Sequence, residues 1–189
     1  MIIGICGYKQ SGKDTTCNIL FECFSTKEFR NIHRIGLFDA GKVSLAVALG
    51  TTVSQLNKAK VEHPPIRRLL QDWGDYQKEL HGENYYIKCL EDKIKQTIEE
   101  GIPNDTHLFI VPDVRFPAEA AWIKSKGGIV LKVDRGAANL DEHPSEQNIN
   151  NIIHDYFVNN NGTLAALRRD VVWIASYIKE KIQKQQVTI

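Results

Sequence analysis

An α/β fold with a five-stranded parallel sheet is predicted from three features of the sequence. Short apolar runs rich in Val, Ile and Leu recur along the chain, as in strands that are buried on both faces. Longer segments with apolar residues at helical spacing lie between them. The first apolar run enters a glycine-rich loop that opens a helix, an arrangement that binds phosphate groups. We therefore expect three layers, with helices on both faces of the sheet.

The order of elements follows from these runs and from the residues that interrupt them. We expect strands at 2–6, 33–38, 107–111, 129–133 and 155–158. Pro112 is expected to end the third strand, because proline cannot donate to the ladder. No linker interrupts residues 1–189, so one domain is expected, with a helical region at 42–100. The irregular segment 134–150 is expected to form a lid, which would carry His143 as a surface histidine.

Composition excludes several classes of protein. The chain has 189 residues and a net charge of +1, which favours neither nucleic acid nor membrane as a partner. No apolar run approaches the roughly 18–20 residues that span a bilayer, and no signal peptide is recognised. The four cysteines lack disulfide or metal spacing. We therefore expect reduced thiols and a cytoplasmic protein.

The loop GYKQSGKDTT, residues 7–16, carries the strongest functional signal. Gly7 and Gly12 bracket four residues and Lys13 follows, which is the spacing of a phosphate-binding loop. Backbone N–H groups and the helix N-terminus would bind phosphate oxygens, and Lys13 would bind the outer phosphates. Asp14 stands where Ser or Thr is usual, and it is expected to bind Mg²⁺, directly or through water, a role compatible with capping the helix. The other loop residues expected on the nucleotide are Lys9, Gln10, Ser11, Thr15 and Thr16.

Polar residues follow two other predicted strands. In parallel sheets such residues face the ligand crevice, so Asp39 and Lys42 are candidates for substrate binding. The alternative is a helix cap and a solvated lysine. Asp113 follows the third strand and is expected to bind Mg²⁺ or substrate. Arg115 lies two residues further on, where its guanidinium group would contact a phosphate through two bonds.

The predicted helix 66–80 carries two arginines beside a glutamine and an aromatic residue. Arg67, Arg68, Gln71 and Trp73 would together hold a phosphate group and a base. The alternative is a solvated basic face of a helix packed through its apolar side.

The chain resembles the deoxynucleoside monophosphate kinases of bacteriophages, within the P-loop kinase superfamily. The resemblance extends over nearly the whole chain and rests on motifs in family order: GYKQSGKDTT, FDAGK, IRRLLQDWG, PDVRFPAEA, HPSE and NNNGTLAAL. It implies the P-loop kinase fold. It also implies transfer of the γ-phosphoryl group of ATP, with Mg²⁺, to the 5′-phosphate of a deoxynucleoside monophosphate.

The resemblance also implies roles for individual residues. Arg67 and Arg115 would grip the acceptor phosphate, and Gln71 and Trp73 would contact the acceptor nucleoside. Arg135 of the lid would close on the transferring group. The resemblance places Asn160 and Asn161 near the donor adenine. It also implies that Glu146 contacts the substrate and that Asp14 and Asp113 bind the metal. The family further suggests a homodimer, and a phage-encoded protein would act in the host cytoplasm.

Two other functions remain open at this point. Kinases of phosphomevalonate and dephospho-coenzyme A share the fold, and the former has a similar GKD loop, although Trp73 favours a nucleotide acceptor. A regulatory module that binds a nucleotide without phosphorylating anything is the other alternative. The chain has no N-K-x-D motif near a strand end, which argues against a GTPase, and it keeps Lys13, Asp113 and Arg115.

Overall fold

The computed structural model of the chain describes residues 1–24, 29–102, 105–136 and 147–187, and it confirms the predicted parallel sheet. The strands are β1 (Ile2–Cys6), β2 (Asn31–Arg34), β3 (His107–Val114), β4 (Ile129–Asp134) and β5 (Tyr156–Asn159). They lie in the order β2-β3-β1-β4-β5, and every neighbouring pair is parallel. Strand β1 is therefore central, with its carboxyl end at the phosphate-binding loop.

Seven α-helices lie in the described residues. They are α1 (Lys13–Phe24), α2 (Asp39–Ala48), α3 (Val53–Glu62), α4 (Pro64–His81), α5 (Tyr85–Glu99), α6 (Pro117–Ser125) and α7 (Leu164–Val187). A 3₁₀ turn spans Asn148–Asn151. None of these helices is both long and apolar enough to cross a membrane.

Alternate residues of β1 pack on opposite faces of the sheet. Ile3 and Ile5 join one core cluster with residues of α1 and α7. Gly4 faces the other side, where a Cβ would lie 2.6 Å from Cδ1 of Ile123 in α6. Helices therefore cover both faces, and the three-layer arrangement is confirmed.

The third strand is longer than predicted, because Pro112 does not end it. Between β1 and β3 the register passes from Gly4↔Val111 to Cys6↔Val114, so the paired residues advance by one more on β3 than on β1. This bulge accommodates Pro112, since a bulge leaves one residue outside the regular ladder. The strand therefore continues to Val114 and places Asp113 within it.

The second strand ends earlier than predicted. Its last ladder bond runs from the Ile35 N–H to the carbonyl oxygen of Ile110, at 3.1 Å. The Gly36 N–H then donates to a carboxylate oxygen of Asp39 at 2.6 Å, and the Asp39 N–H donates to the Gly36 carbonyl at 3.2 Å. This turn leads directly into α2, so Phe38 lies outside the strand.

The chain divides into two compact units, one of residues 1–35 and 98–189 and the other of residues 36–97. The first unit holds the sheet with α1, α6 and α7. The second holds α2, α3, α4 and most of α5. Its core includes Leu45, Leu56 and Leu70. The Thr52 hydroxyl accepts a hydrogen bond from the Gln55 N–H at 3.2 Å, so α3 is capped by a residue directly before it.

Candidate functional site

The phosphate-binding loop has the geometry that its sequence predicts. Strand β1 ends at Cys6, and α1 begins at Lys13. Within the loop the Ser11 N–H donates to the Tyr8 carbonyl at 3.1 Å, which closes a turn. Gln10 in this turn has a φ of 61°, the positive φ that non-glycine residues rarely adopt. Such strain is often found in ligand-binding loops, where the surrounding structure maintains it.

Both glycines of the loop fit where a larger residue would collide. A Cβ on Gly7 would meet the carbonyl oxygen of Val133 in β4, and one on Gly12 would meet the side-chain nitrogen of Asn160. Their φ values of 149° and 102° are also disfavoured for side-chain-bearing residues. The loop thus lies directly against the carboxyl end of β4 and the residue that follows β5.

Lys13 and two hydroxyl groups give the loop its chemistry. The Lys13 ammonium donates to the carbonyls of Gly7 and Tyr8, at 2.7 and 2.6 Å, which places it across the loop. The hydroxyl oxygens of Ser11 and Thr16 are buried and have no hydrogen-bond partner among the residues that the structure describes. Together with the N-terminus of α1, this donor set fits a phosphate group.

Asp14 forms an ion pair that the sequence did not predict. Its carboxylate binds the guanidinium group of Arg34, the last residue of β2, which also reaches the Asn18 side chain at 3.4 Å. Burial raises the pKa of the Cys17 thiol; the Arg34 guanidinium opposes this rise, and the carboxylates of Asp14 and Asp113 add to it, so all three charges act on this thiol. Two carboxylates suit a hard cation, but an ion here would share Asp14 with Arg34.

The backbone after β3 is hydrogen-bonded to Glu119, a residue that the sequence analysis did not identify as a candidate. Glu119 is 8% exposed, and its Oε2 accepts from the backbone N–H of Arg115 at 2.7 Å and of Phe116 at 3.0 Å. Glu119 is the third residue of α6, and its bond from the Phe116 N–H is one half of a capping box; Phe116, the N-cap residue, has no side-chain acceptor for the other half. The signal that could have identified it was a glutamate two residues after Pro117, because proline favours the first helical position and glutamate at the third can accept the N-cap N–H. Its effect is to fix the backbone that carries Arg115 beside the end of β3.

Asn160 and Asn161 lie at the carboxyl end of the sheet but differ in environment. Asn160 is buried, and its side-chain amide donates to the Ser11 carbonyl at 2.8 Å. Asn161 is exposed, and its amide donates to the Asn159 side chain at 2.6 Å. Arg135 is also exposed, directly after β4. The sheet unit thus brings the loop, Asp113, Arg115, Arg135 and these asparagines to strand ends on one edge.

The candidates of the helical unit are described separately. The Lys42 ammonium pairs with the Asp39 carboxylate at 2.7 Å, within the first turn of α2. The Trp73 indole N–H donates to the Ser44 hydroxyl at 2.9 Å, so this ring is fixed within its own unit. The remaining candidates lie on α4, where Arg67 and Gln71 are half-buried and Arg68 is exposed.

Part of the predicted site lies outside the described residues. Glu146 and His143 fall there, together with most of the expected lid. No group of three or more metal-ligating side chains occurs in the described ranges. The predicted roles of these residues stay predictions.

A buried parallel strand that enters an anion-binding, glycine-rich loop and a helix defines the class of P-loop proteins. Within that class, the chain belongs to the deoxynucleotide monophosphate kinase family, whose sequence profile matches residues 31–171. The matched range begins after the phosphate-binding loop, so the loop and the profile are independent observations. They confirm the predicted resemblance and the P-loop kinase fold.

Two individual proteins are similar to the chain. A protein of Acanthamoeba polyphaga mimivirus named "Putative deoxynucleotide monophosphate kinase" is 38% identical over 65 residues, which are 33% of this chain and 34% of that protein. The match thus spans about a third of the viral protein's length. The crystal structure of shikimate kinase from Aquifex aeolicus aligns with 92% of this chain and 95% of its own, at 13% identity and a TM-score of 0.45.

Proposed function

We propose that this protein transfers the γ-phosphoryl group of ATP to the 5′-phosphate of a deoxynucleoside monophosphate. The observation that carries the proposal is the phosphate-binding loop with Lys13 across it, in a chain of the deoxynucleotide monophosphate kinase family. The acceptor is already an anion, so no strong general base is required. Catalysis then depends on positioning and on neutralising negative charge.

Residues of the sheet unit would bind the donor. Backbone N–H groups of the loop and the Lys13 ammonium would bind the β- and γ-phosphates, and Arg135 would stabilise the charge on the transferring group. Arg115, in the same unit, would grip the acceptor phosphate. Asp14 and Asp113 would hold Mg²⁺, which neutralises phosphate charge when it is bound. Because Arg34 pairs with Asp14, its release would accompany metal binding.

Residues of the helical unit would recognise the acceptor. Arg67 and Arg68 carry positive charge for its phosphate, and Gln71 and Trp73 would contact the nucleoside. The lysine–carboxylate pair of Asp39 and Lys42 would contribute to the same binding. Glu146, which is not part of this unit, stays a predicted contact of the substrate. The homodimer stays a prediction, which sedimentation equilibrium tests.

Product analysis with a panel of acceptors tests the proposal. The purified protein is incubated with ATP, Mg²⁺ and one acceptor at a time: the four deoxynucleoside monophosphates, their ribose counterparts, phosphomevalonate or dephospho-coenzyme A. Formation of a deoxynucleoside diphosphate supports the proposal and gives the base specificity. ADP formed only with a non-nucleotide acceptor contradicts it and assigns the chain to another kinase class.

Replacing the loop lysine provides the matched control. Lys13→Ala removes the ammonium group and should lower the rate by about 10²-fold or more while the protein stays folded. Lys58→Ala removes an exposed ammonium 4.0 Å from Glu62 in α3 and should leave the rate unchanged. A normal rate for Lys13→Ala would refute the proposed site.

A further inference from the structure

Asn160 is buried at the end of β5, although asparagine is mostly exposed in folded proteins. Only 9% of its surface is exposed. Its side-chain amide donates to the Ser11 carbonyl at 2.8 Å, and its backbone N–H donates to the carbonyl of Asp134, the last residue of β4, at 2.7 Å. One residue therefore links the phosphate-binding loop to the edge of the sheet.

The loop is shaped to accept this side chain. The amide group of Asn160 occupies the space that a side chain on Gly12 would fill. Gly12 also has a φ of 102°, which glycine adopts without strain. The glycine and the asparagine therefore form a matched contact on the sheet side of the loop.

We propose that Asn160 is a positioning residue that sets the orientation of the Ser11–Gly12 peptide for phosphate binding. The two residues share one planar trans peptide, so the Ser11 carbonyl and the Gly12 N–H point in opposite directions. By holding the carbonyl, Asn160 directs the Gly12 N–H away from itself, where it is free to face an anion. This inference rests on the proposed function in one respect: the ligand is a nucleoside triphosphate.

This role differs from the contact with the donor adenine that the family resemblance implies for Asn160. Both roles make ATP bind more weakly when the side chain is removed. Only the positioning role also weakens a ligand that has phosphates and no base. Inorganic tripolyphosphate is such a ligand, and it separates the two roles.

The experiment measures displacement of a fluorescent ATP analogue by ATP and by tripolyphosphate, without any acceptor. Asn160→Ala is expected to weaken both ligands by the same factor, about two- to tenfold, as for the loss of one hydrogen bond. Asn31→Ala is the matched control, because it removes a side-chain amide that donates to Asp105 at 3.0 Å, in the first residue of β2. It should leave both affinities unchanged.

Each other outcome overturns the inference. Weaker ATP binding with unchanged tripolyphosphate binding would assign Asn160 to the adenine. Unchanged affinity for both, with a lower melting temperature, would make the residue merely structural. Asn160→Ser, which keeps a small polar side chain too short to reach Ser11, replaces the alanine variant if that fails to fold. A wild-type protein that binds neither ligand would refute the proposed function itself, whereas the first two results refute this inference alone.

Discussion

Removing the carboxylate of Glu119 should destabilise the protein and lower its activity together. Its Oε2 accepts two backbone bonds, from Arg115 at 2.7 Å and from Phe116 at 3.0 Å. Hydrogen bonds to charged groups contribute about 1.5–3 kcal/mol each. Since Arg115 and Phe116 are only half-buried and water can replace part of the loss, we take the lower end. We expect Glu119→Ala to lower the free energy of unfolding by about 2–4 kcal/mol.

Glu119→Gln separates charge from shape. One oxygen accepts both bonds, so the amide oxygen of glutamine can take the same position, and we expect about half the loss. For a chain of 189 residues, 1 kcal/mol shifts the melting temperature by about 2–4 °C, so the alanine variant should melt roughly 5–15 °C lower. Urea unfolding gives the free energies, and acceptor-dependent ADP formation gives the rate.

Two results would refute this reasoning. If Glu119→Ala unfolds within about 0.5 kcal/mol of the wild type, a typical value for an inconsequential surface change, the two bonds contribute nothing measurable. If the glutamine variant loses as much stability as the alanine variant, the carboxylate acts through something other than these two bonds.

Three further predictions concern single side chains. Gly12→Ala should weaken ATP binding at least about tenfold by calorimetry, because the new Cβ meets Asn160. Burial lowers the pKa of His33 in the folded chain below its ordinary 6.5, so the unfolded chain binds more protons than the folded one at pH values between the folded and the unfolded pKa. The free energy of unfolding should therefore fall as the pH decreases from 7 to below 6.5. His33→Gln should make the free energy of unfolding depend less on pH over this interval. Trp73→Phe should cost about 1 kcal/mol in urea unfolding, since it loses the bond to Ser44.

Each of the three has its own contradicting result. Unchanged affinity for Gly12→Ala would mean that the loop relaxes around the added carbon. An equal slope of stability against pH in wild type and His33→Gln would assign the dependence to other groups. Adding Ser44→Ala to Trp73→Phe should cost little more, and an additive loss would show that the two side chains do not act as a pair.

The features that the sequence predicted well are local. The phosphate-binding loop is encoded within ten consecutive residues, where the spacing of Gly7, Gly12 and Lys13 specifies both the turn and the helix that follows. The strands were located by their apolar runs. The predicted end of β3 was wrong because the bulge at Pro112 depends on pairing with β1, which no local pattern contains.

The contacts that the sequence did not reveal join residues far apart in the chain. Arg34 reaches Asp14 because its strand, β2, belongs to the same sheet as β1, the strand that leads into α1. Asn160 reaches Ser11 across 149 residues of sequence. Such pairs follow from the strand order, which apolar runs alone do not specify. Glu119 is the exception, since Pro117 marks the first helical position and a glutamate at the third position can accept the N–H of the N-cap residue.

Tracing the transferred phosphoryl group tests the central claim most directly. The wild-type protein is incubated with Mg²⁺, deoxynucleoside monophosphate and ATP that carries ³²P at the γ position, and the products are separated. We predict that the label appears in the β-phosphate of the deoxynucleoside diphosphate, in amounts equal to the ADP formed, and that Lys13→Ala slows the transfer by about 10²-fold or more. Label released as inorganic phosphate without any labelled diphosphate would contradict the account, because it would show that the protein hydrolyses ATP and does not phosphorylate a nucleotide.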